Sequence, residues 1–208
     1  DRLRAVVSAL REEIIALGGE VRFETRLERI QIKNHAVAGV TAAGETIPAS
    51  CLVLAVGHSA RDTFAMIRAL GLPMEGKPFS VGARIEHLQS AVDLGLYGEF
   101  AGDPRLPKGE YQLSHRDSEG RAVYTFCMCP GGMVVPAASI RETVVTNGMS
   151  DFLRDGPNAN AALVVSVDGR DFGNDPLDAV AFQERLECRA WEASGSYRAP
   201  IQTGGRFL

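Results

Sequence analysis

The sequence predicts an α+β fold, a layered α/β portion followed by a mixed or antiparallel sheet with helices. Three patterns carry this expectation. Leu3, Val6, Val7, Leu10, Ile14 and Leu17 recur at helical spacing, as do Leu177, Val180, Phe182, Leu186 and Trp191 near the other end. Residues 51–56 form an uninterrupted apolar run, which suits a strand covered on both faces. Phe79, Val81, Ala83 and Ile85 alternate with Ser80, Gly82, Arg84 and Glu86, the period of a half-buried strand.

Taken in order, the first helix ends at Gly18-Gly19, because glycine accepts the left-handed cap. Val21 and Phe23 start a strand, and Leu27, Ile30 and Ile32 continue the extended pattern. Val37, Val40 and Ile47 add two short strands around the turn at Ala43-Gly44, completing a small meander. The apolar run 51–56 follows. Ser59 and Asp62 have the spacing of a capping box opening a helix that carries Phe64, Ile67 and Leu70 and stops at Gly71. After the alternating strand, residues 98–110 are rich in glycine, proline and charge and read as a loop. Residues 121–129 and 133–137 flank Pro130-Gly131-Gly132 as a hairpin. The segment holding Asn147, Ser150 and Arg154 reads as a loop, with Asn147-Gly148 as a turn. Residues 161–167 form another strand, and Asp175-Pro176 opens the last helix. The division expected is 1–60 and 61–208.

Composition narrows the partners. A chain of 208 residues with a net charge of −4 offers no broad basic surface for nucleic acid. No apolar run approaches the ~20 residues of a membrane-spanning helix. Four cysteines are too few for a disulfide scaffold of this size, so a cytoplasmic location is the default expectation. The chain opens on Asp1 with a helical pattern already under way, from which we expect a piece of a larger parent chain.

Residues 1–60 resemble one segment of FAD-dependent oxidoreductases with the two-dinucleotide-binding-domain fold. The resemblance lies in the helix, then Gly19-Glu20-Val21-Arg22-Phe23, then Thr25-Arg26-Leu27, the meander, and Leu52-Val53-Leu54-Ala55-Val56-Gly57. That last run ends in Ala-Val-Gly where the family has Ala-Thr-Gly. The runs from Lys77 to His87, Tyr124 to Gly132, Thr146 to Ser150 and Asp155 to Ala161 are similar to a bacterial family of uncharacterised FAD-dependent dehydrogenases. The resemblance implies FAD in the parent protein. It implies that residues 1–60 are part of an FAD-binding domain and residues 61–208 a cap that shapes a substrate pocket. By resemblance, the backbone of Leu27 meets the adenine, and Ala55, Val56 and Gly57 lie beside the cofactor. Gly57 also has a physical rationale, since a residue without Cβ lets another group approach closely. The Gly-x-Gly-x-x-Gly turn that cradles the pyrophosphate at a helix end is not found in this sequence, nor is a later glycine-rich closing segment. Tight FAD binding by this chain alone is therefore not expected.

Several side chains are candidates for chemistry, each with an ordinary alternative. His58 either donates to the flavin or leads into a helix. Cys127 and Cys129, two apart on a strand, face the same way; they are either a redox pair, half a metal site or small packing residues. Four histidines and this cysteine pair match no metal-ligand spacing, so no metal is expected. Arg84 could clamp a substrate carboxylate or phosphate, or sit on a solvated face in an ion pair with Glu86. Asn147, Ser150 and Arg154 could bind substrate from a loop. Residues 71–77 nearly fit a P-loop, but Pro78 supplies neither the hydroxyl nor the N–H that motif requires. No side chain stands out as a general acid or base. The competing reading is a non-enzymatic binding module on a flavoprotein-derived scaffold.

Overall fold

The computed structural model describes residues 2–207, which form two compact units, residues 2–71 and 72–207. Helices and antiparallel sheets are mixed in sequence, as an α+β fold requires.

The first unit opens with α1 (Arg2–Ala16). Gly18, at φ 87°, and Gly19 close it, with Gly19 N–H donating to Ile14 O at 2.8 Å, the wrap-around bond of a glycine C-cap. The apolar stripe of α1 is open to solvent, and Leu3 is 72% exposed. Three strands follow, β1 (Leu27–Lys33), β2 (Ala36–Ala42) and β3 (Glu45–Pro48), paired antiparallel in the order β1-β2-β3. Their core is small: Ile30, Val40 and Ala42 are buried. Then comes α2 (Arg61–Ala69).

Three expectations fail here. Residues 21–23 do not enter a strand. Ser59 and Asp62 do not make a capping box: Ala60 is the N-cap without a side-chain bond, and Asp62 pairs instead with Arg26, just before β1. Most consequential, residues 51–56 are not a buried strand. They belong to no sheet, and Val53 is 82% exposed. An apolar run becomes a doubly covered strand only between hydrogen-bonded neighbours, and the meander already uses its strands on one another.

The second unit is built on a four-stranded antiparallel sheet in the order β4-β9-β6-β5. Its strands are β4 (Phe79–Leu88), β5 (Ser114–Arg116), β6 (Ala122–Cys129) and β9 (Asn158–Val167). A separate ribbon pairs β7 (Gly132–Pro136) with β8 (Thr146–Ser150). The hairpin expected across Pro130-Gly131-Gly132 is therefore corrected: β6 pairs with β5 and β9, while β7 leaves the sheet to pair with β8. Asn147 and Ser150 consequently lie on a strand, not in a loop. Close packing decides this, because a Cβ on Gly131 would overlap the Arg154 carbonyl and one on Gly132 the Met149 carbonyl.

Helix α3 (Gln89–Tyr97) continues directly from β4. A short α4 (Gly169–Phe172), closed by a capping box between Asp168 and Asp171, precedes α5 (Asp178–Ser194). The latter begins later than Asp175-Pro176, because the Asp175 side chain accepts from Leu177 N–H and Asp178 accepts from Asp175 N–H, making a turn first. Phe79, Phe172 and Phe182 join β4, α4 and α5, with the first two rings stacked at 5.4 Å. A final turn, α6 (Gly204–Phe207), ends the described chain. No helix among the described residues is long and apolar enough to cross a membrane.

Candidate functional site

In the first unit four of the five sequence-predicted residues fall on one extended stretch, and Leu27 lies apart on β1. Ala55, Val56, Gly57 and His58 are all exposed. Residues 51–57 make no hydrogen bond to another described residue, so their N–H and C=O groups are free to pair. Gly57 has φ 74°, a left-handed conformation that side chains rarely adopt, and no atom lies within 4 Å of where its Cβ would be. His58 Nε2 lies 3.3 Å from Ser59 Oγ. Leu27 opens β1 opposite Ala42. The stretch offers apolar surface, unpaired backbone groups and the exposed His58 imidazole.

The second unit brings polar side chains together on one face of its sheet. Antiparallel register places directly opposite residues on the same face. Arg84 stands opposite Ala162, Glu86 opposite Asn160, and Asn160 opposite Cys129. The β7–β8 ribbon lies against this face, so it is not the solvated face that alternation suggests. Arg84 Nη1 donates to Asn160 Oδ1 at 2.6 Å and to the Cys127 carbonyl at 3.1 Å; its Nη2 donates to Asn147 Oδ1 at 3.3 Å. The expected ion pair with Glu86 is absent. Glu86 instead accepts from Val134 N–H at 2.6 Å and Asn158 Nδ2 at 2.8 Å, tying β4 to both β7 and β9.

Backbone irregularities shape this cluster. Between Phe126 and Cys129 the pairing of β6 with β9 slips by one residue, and Cys127 sits at φ 50°. The bulge points the Cys127 carbonyl at the guanidinium. It also breaks alternation, so Cys127 and Cys129 do not share a regular strand face as expected. Cys129 Sγ is 4.0 Å from Arg84 Nη1, and all four cysteines are free thiols. Asn160 is fully buried at 0% exposure, and its Nδ2 has no partner. Gly148 has no room for a side chain: a Cβ there would overlap Arg84 Nη1 and Asn160 Oδ1.

The other candidates lie elsewhere in the unit. Arg154 pairs with Glu110 at 2.8 Å, and both side chains are more than half exposed. Ser150 is at the end of β8, opposite Gly132. On the other face of the sheet His87 Nε2 meets Tyr111 Oη at 2.8 Å, and burial pushes the Tyr111 phenol up. A shallow concavity of about 500 Å³, lined by Leu96, Tyr97, Phe100 and Leu106 among others, involves none of these residues. Among the described residues no three His, Cys, Asp or Glu side chains converge as a metal site would need.

Sequence reasoning missed Asn160, Gly148 and the Cys127 carbonyl. The signal for Asn160 was present. Asn158 and Asn160 alternate with Ala159 and Ala161, and polar residues at period two entering an apolar strand mark one face as polar. The carbonyl had no such signal, because it depends on the bulge.

Comparison with known proteins gives three similarities. A family model described as "FAD-dependent protein, C-terminal domain-like" matches residues 78–208. Another, described as "FAD dependent oxidoreductase", matches residues 2–105. An uncharacterized protein of Clostridium beijerinckii is 44% identical over 211 residues, covering 100% of this chain. The chain spans 40% of that relative's length.

Proposed function

This chain belongs to the FAD-dependent oxidoreductases, and on that premise we propose that it is the central and cap portion of a larger flavoprotein with dehydrogenase-like activity. When bound, FAD supplies the acceptor for electrons taken from a substrate. This chain contributes one wall of the cofactor site and the unit that shapes the substrate side.

The observation that carries the reading is the stretch 51–57. It is apolar, it leaves its backbone groups unpaired, and it ends at a left-handed Gly57 with open space beside it. Such a stretch fits the flat, largely apolar face of a flavin, with backbone groups available to fix it. Leu27 would lie along the adenine, Ala55 to Gly57 beside the ring system, and His58 would donate to the ring or its ribityl chain. These residues fit one wall of the site. They do not fit the pyrophosphate, which requires a cluster of backbone N–H groups at a helix end. The isolated chain should therefore bind FAD weakly. Within the second unit we rank Arg84 and Asn147 ahead of Ser150 and Arg154 as substrate contacts, because Arg154 is committed to Glu110.

The test is the colour of the intact protein. Purified full-length protein should carry a flavin absorbance that bleaches on reduction. A colourless protein that FAD cannot reconstitute would overturn the oxidoreductase reading in favour of a binding module. Flavin titration of residues 1–208 alone should give no submicromolar affinity; finding one would show that the wall suffices.

A further inference from the structure

We propose that Arg84 is the centre of an oxoanion site in the second unit, built to take a carboxylate or phosphate group side-on. A guanidinium has five N–H donors in a planar fork. The Nη1 end of Arg84 is committed inward, to the Cys127 carbonyl and Asn160 Oδ1, and one Nη2 hydrogen goes to Asn147 Oδ1. The Nε hydrogen and the second Nη2 hydrogen have no partner among the described residues. In a guanidinium the Nε–H and the Nη2–H beside it run parallel along one edge, spaced for the two oxygens of a carboxylate or phosphate.

Charge points the same way. Arg121, Arg154 and Arg170 in this unit each face a carboxylate. Arg84 meets no carboxylate: its partners are three uncharged oxygens and, at 4.0 Å, the Cys129 sulfur, while Glu86, the acid nearest it along that strand face, is occupied by Val134 and Asn158. A half-buried cation with neutral partners keeps an unbalanced charge, which an anion would compensate. The arginine is also fixed in direction. Cys127 holds a left-handed backbone, Gly148 excludes a side chain, and fully buried Asn160 leaves its Nδ2 unpaired. Each of these features is unfavourable for folding by itself, and together they lock the guanidinium with one edge outward. Phe126 and Cys127 beside it are exposed, so the edge can be reached from solvent.

The site uses no residue of the first unit, so it stands or falls apart from the flavin. Calorimetric titration of the intact protein with malonate and, separately, with inorganic phosphate at low salt tests it. We expect saturable one-to-one binding, and the tighter anion tells carboxylate from phosphate. Binding should weaken at least tenfold in Arg84→Gln and be only partly kept in Arg84→Lys, since an ammonium cannot present two parallel donors. Arg105→Gln, at a surface arginine committed to Asp103, should leave it unchanged. If Arg84→Gln does not fold, wild-type protein still decides: phenylglyoxal should label Arg84, and the binding anion should suppress that labelling but not the labelling of the exposed Arg105. Absence of saturable binding by both anions, or equal protection of the two arginines, overturns the site. Flavin content enters neither readout, so a colourless protein that binds the anion and a yellow one that does not separate the two proposals.

Discussion

Replacing Gly148 by alanine tests whether the Arg84 cluster is as tightly built as its geometry indicates. The added methyl would overlap both Arg84 Nη1 and Asn160 Oδ1, and it would lie 2.8 Å from Arg84 Cζ. Asn160 cannot retreat, because it is fully buried within β9. The guanidinium must move instead, which breaks its 2.6 Å bond to Asn160. Losing a hydrogen bond to a charged group is unfavourable by about 1.5–3 kcal/mol, and crowding a packed site adds about 1–3 kcal/mol before relaxation. We expect a net loss of about 3 kcal/mol, toward the lower end of that combined range because the guanidinium can shift to relieve part of the overlap. Trp191, the single tryptophan, lies on α5, so its fluorescence during urea unfolding reports the second unit. For a slope of roughly 2 kcal/mol/M, the midpoint should fall by about 1.5 M. Gly76→Ala is the control, since no atom lies within 4 Å of its Cβ position. Equal midpoints for the two variants would refute the reasoning. An Arg84→Met background sharpens the test: with one of the two overlaps removed, Gly148→Ala should destabilise less than it does in wild type.

Two further outcomes follow from local geometry. Gly95 lies within α3 with nothing near its Cβ position, so Gly95→Ala should raise stability by about 0.5–1 kcal/mol, read as a higher urea midpoint. Hydrogen bonds from the Arg170 side chain and backbone hold the Asp168 carboxyl at about 2, below its ordinary 3.8. A carboxylate depressed in the folded state stabilises above its unfolded value and loses that contribution as pH falls through the folded one. The gap between wild type and Asp168→Asn should therefore be constant above about pH 5 and shrink as pH drops from about 4 to about 2. A gap that widens on acidification would contradict the capping role.

Much of the architecture was legible where a pattern reports local conformation. Helical spacing placed α1, α2 and the body of α5, and alternation placed β4. What depends on a neighbour was not. Residues 51–56 have the composition of a buried strand, yet burial is supplied by flanking strands, and the described sheets offer none. Pro130-Gly131-Gly132 carries a turn signal and does turn the chain, but the signal says nothing about which strands pair afterwards. The segment holding Asn147, Ser150 and Arg154 reads as a loop in sequence because Asn147-Gly148 suits a turn. Gly148 is needed there for another reason, the space taken by Arg84.

Arg84 shows why the site itself was only half legible. Period-two alternation divides β4 into a polar and an apolar face, and the polar one is ordinarily left to water. Here a second ribbon covers the polar face, while Ala83 and Ile85 on the opposite face are exposed. Covering a polar face is tolerable only if its groups find partners. Glu86 does so fully, through the Val134 amide and Asn158. Arg84 does so through Nη1 and one Nη2 hydrogen, and not through Nε. Alternation could name both residues but could not rank them, since in sequence they are two charges of opposite sign two residues apart. The ranking comes from the bulge at Cys127 and the bare backbone at Gly148. Both make room for the arginine and nothing comparable for the glutamate, so the arginine keeps an edge for a ligand while the glutamate serves as a structural tie.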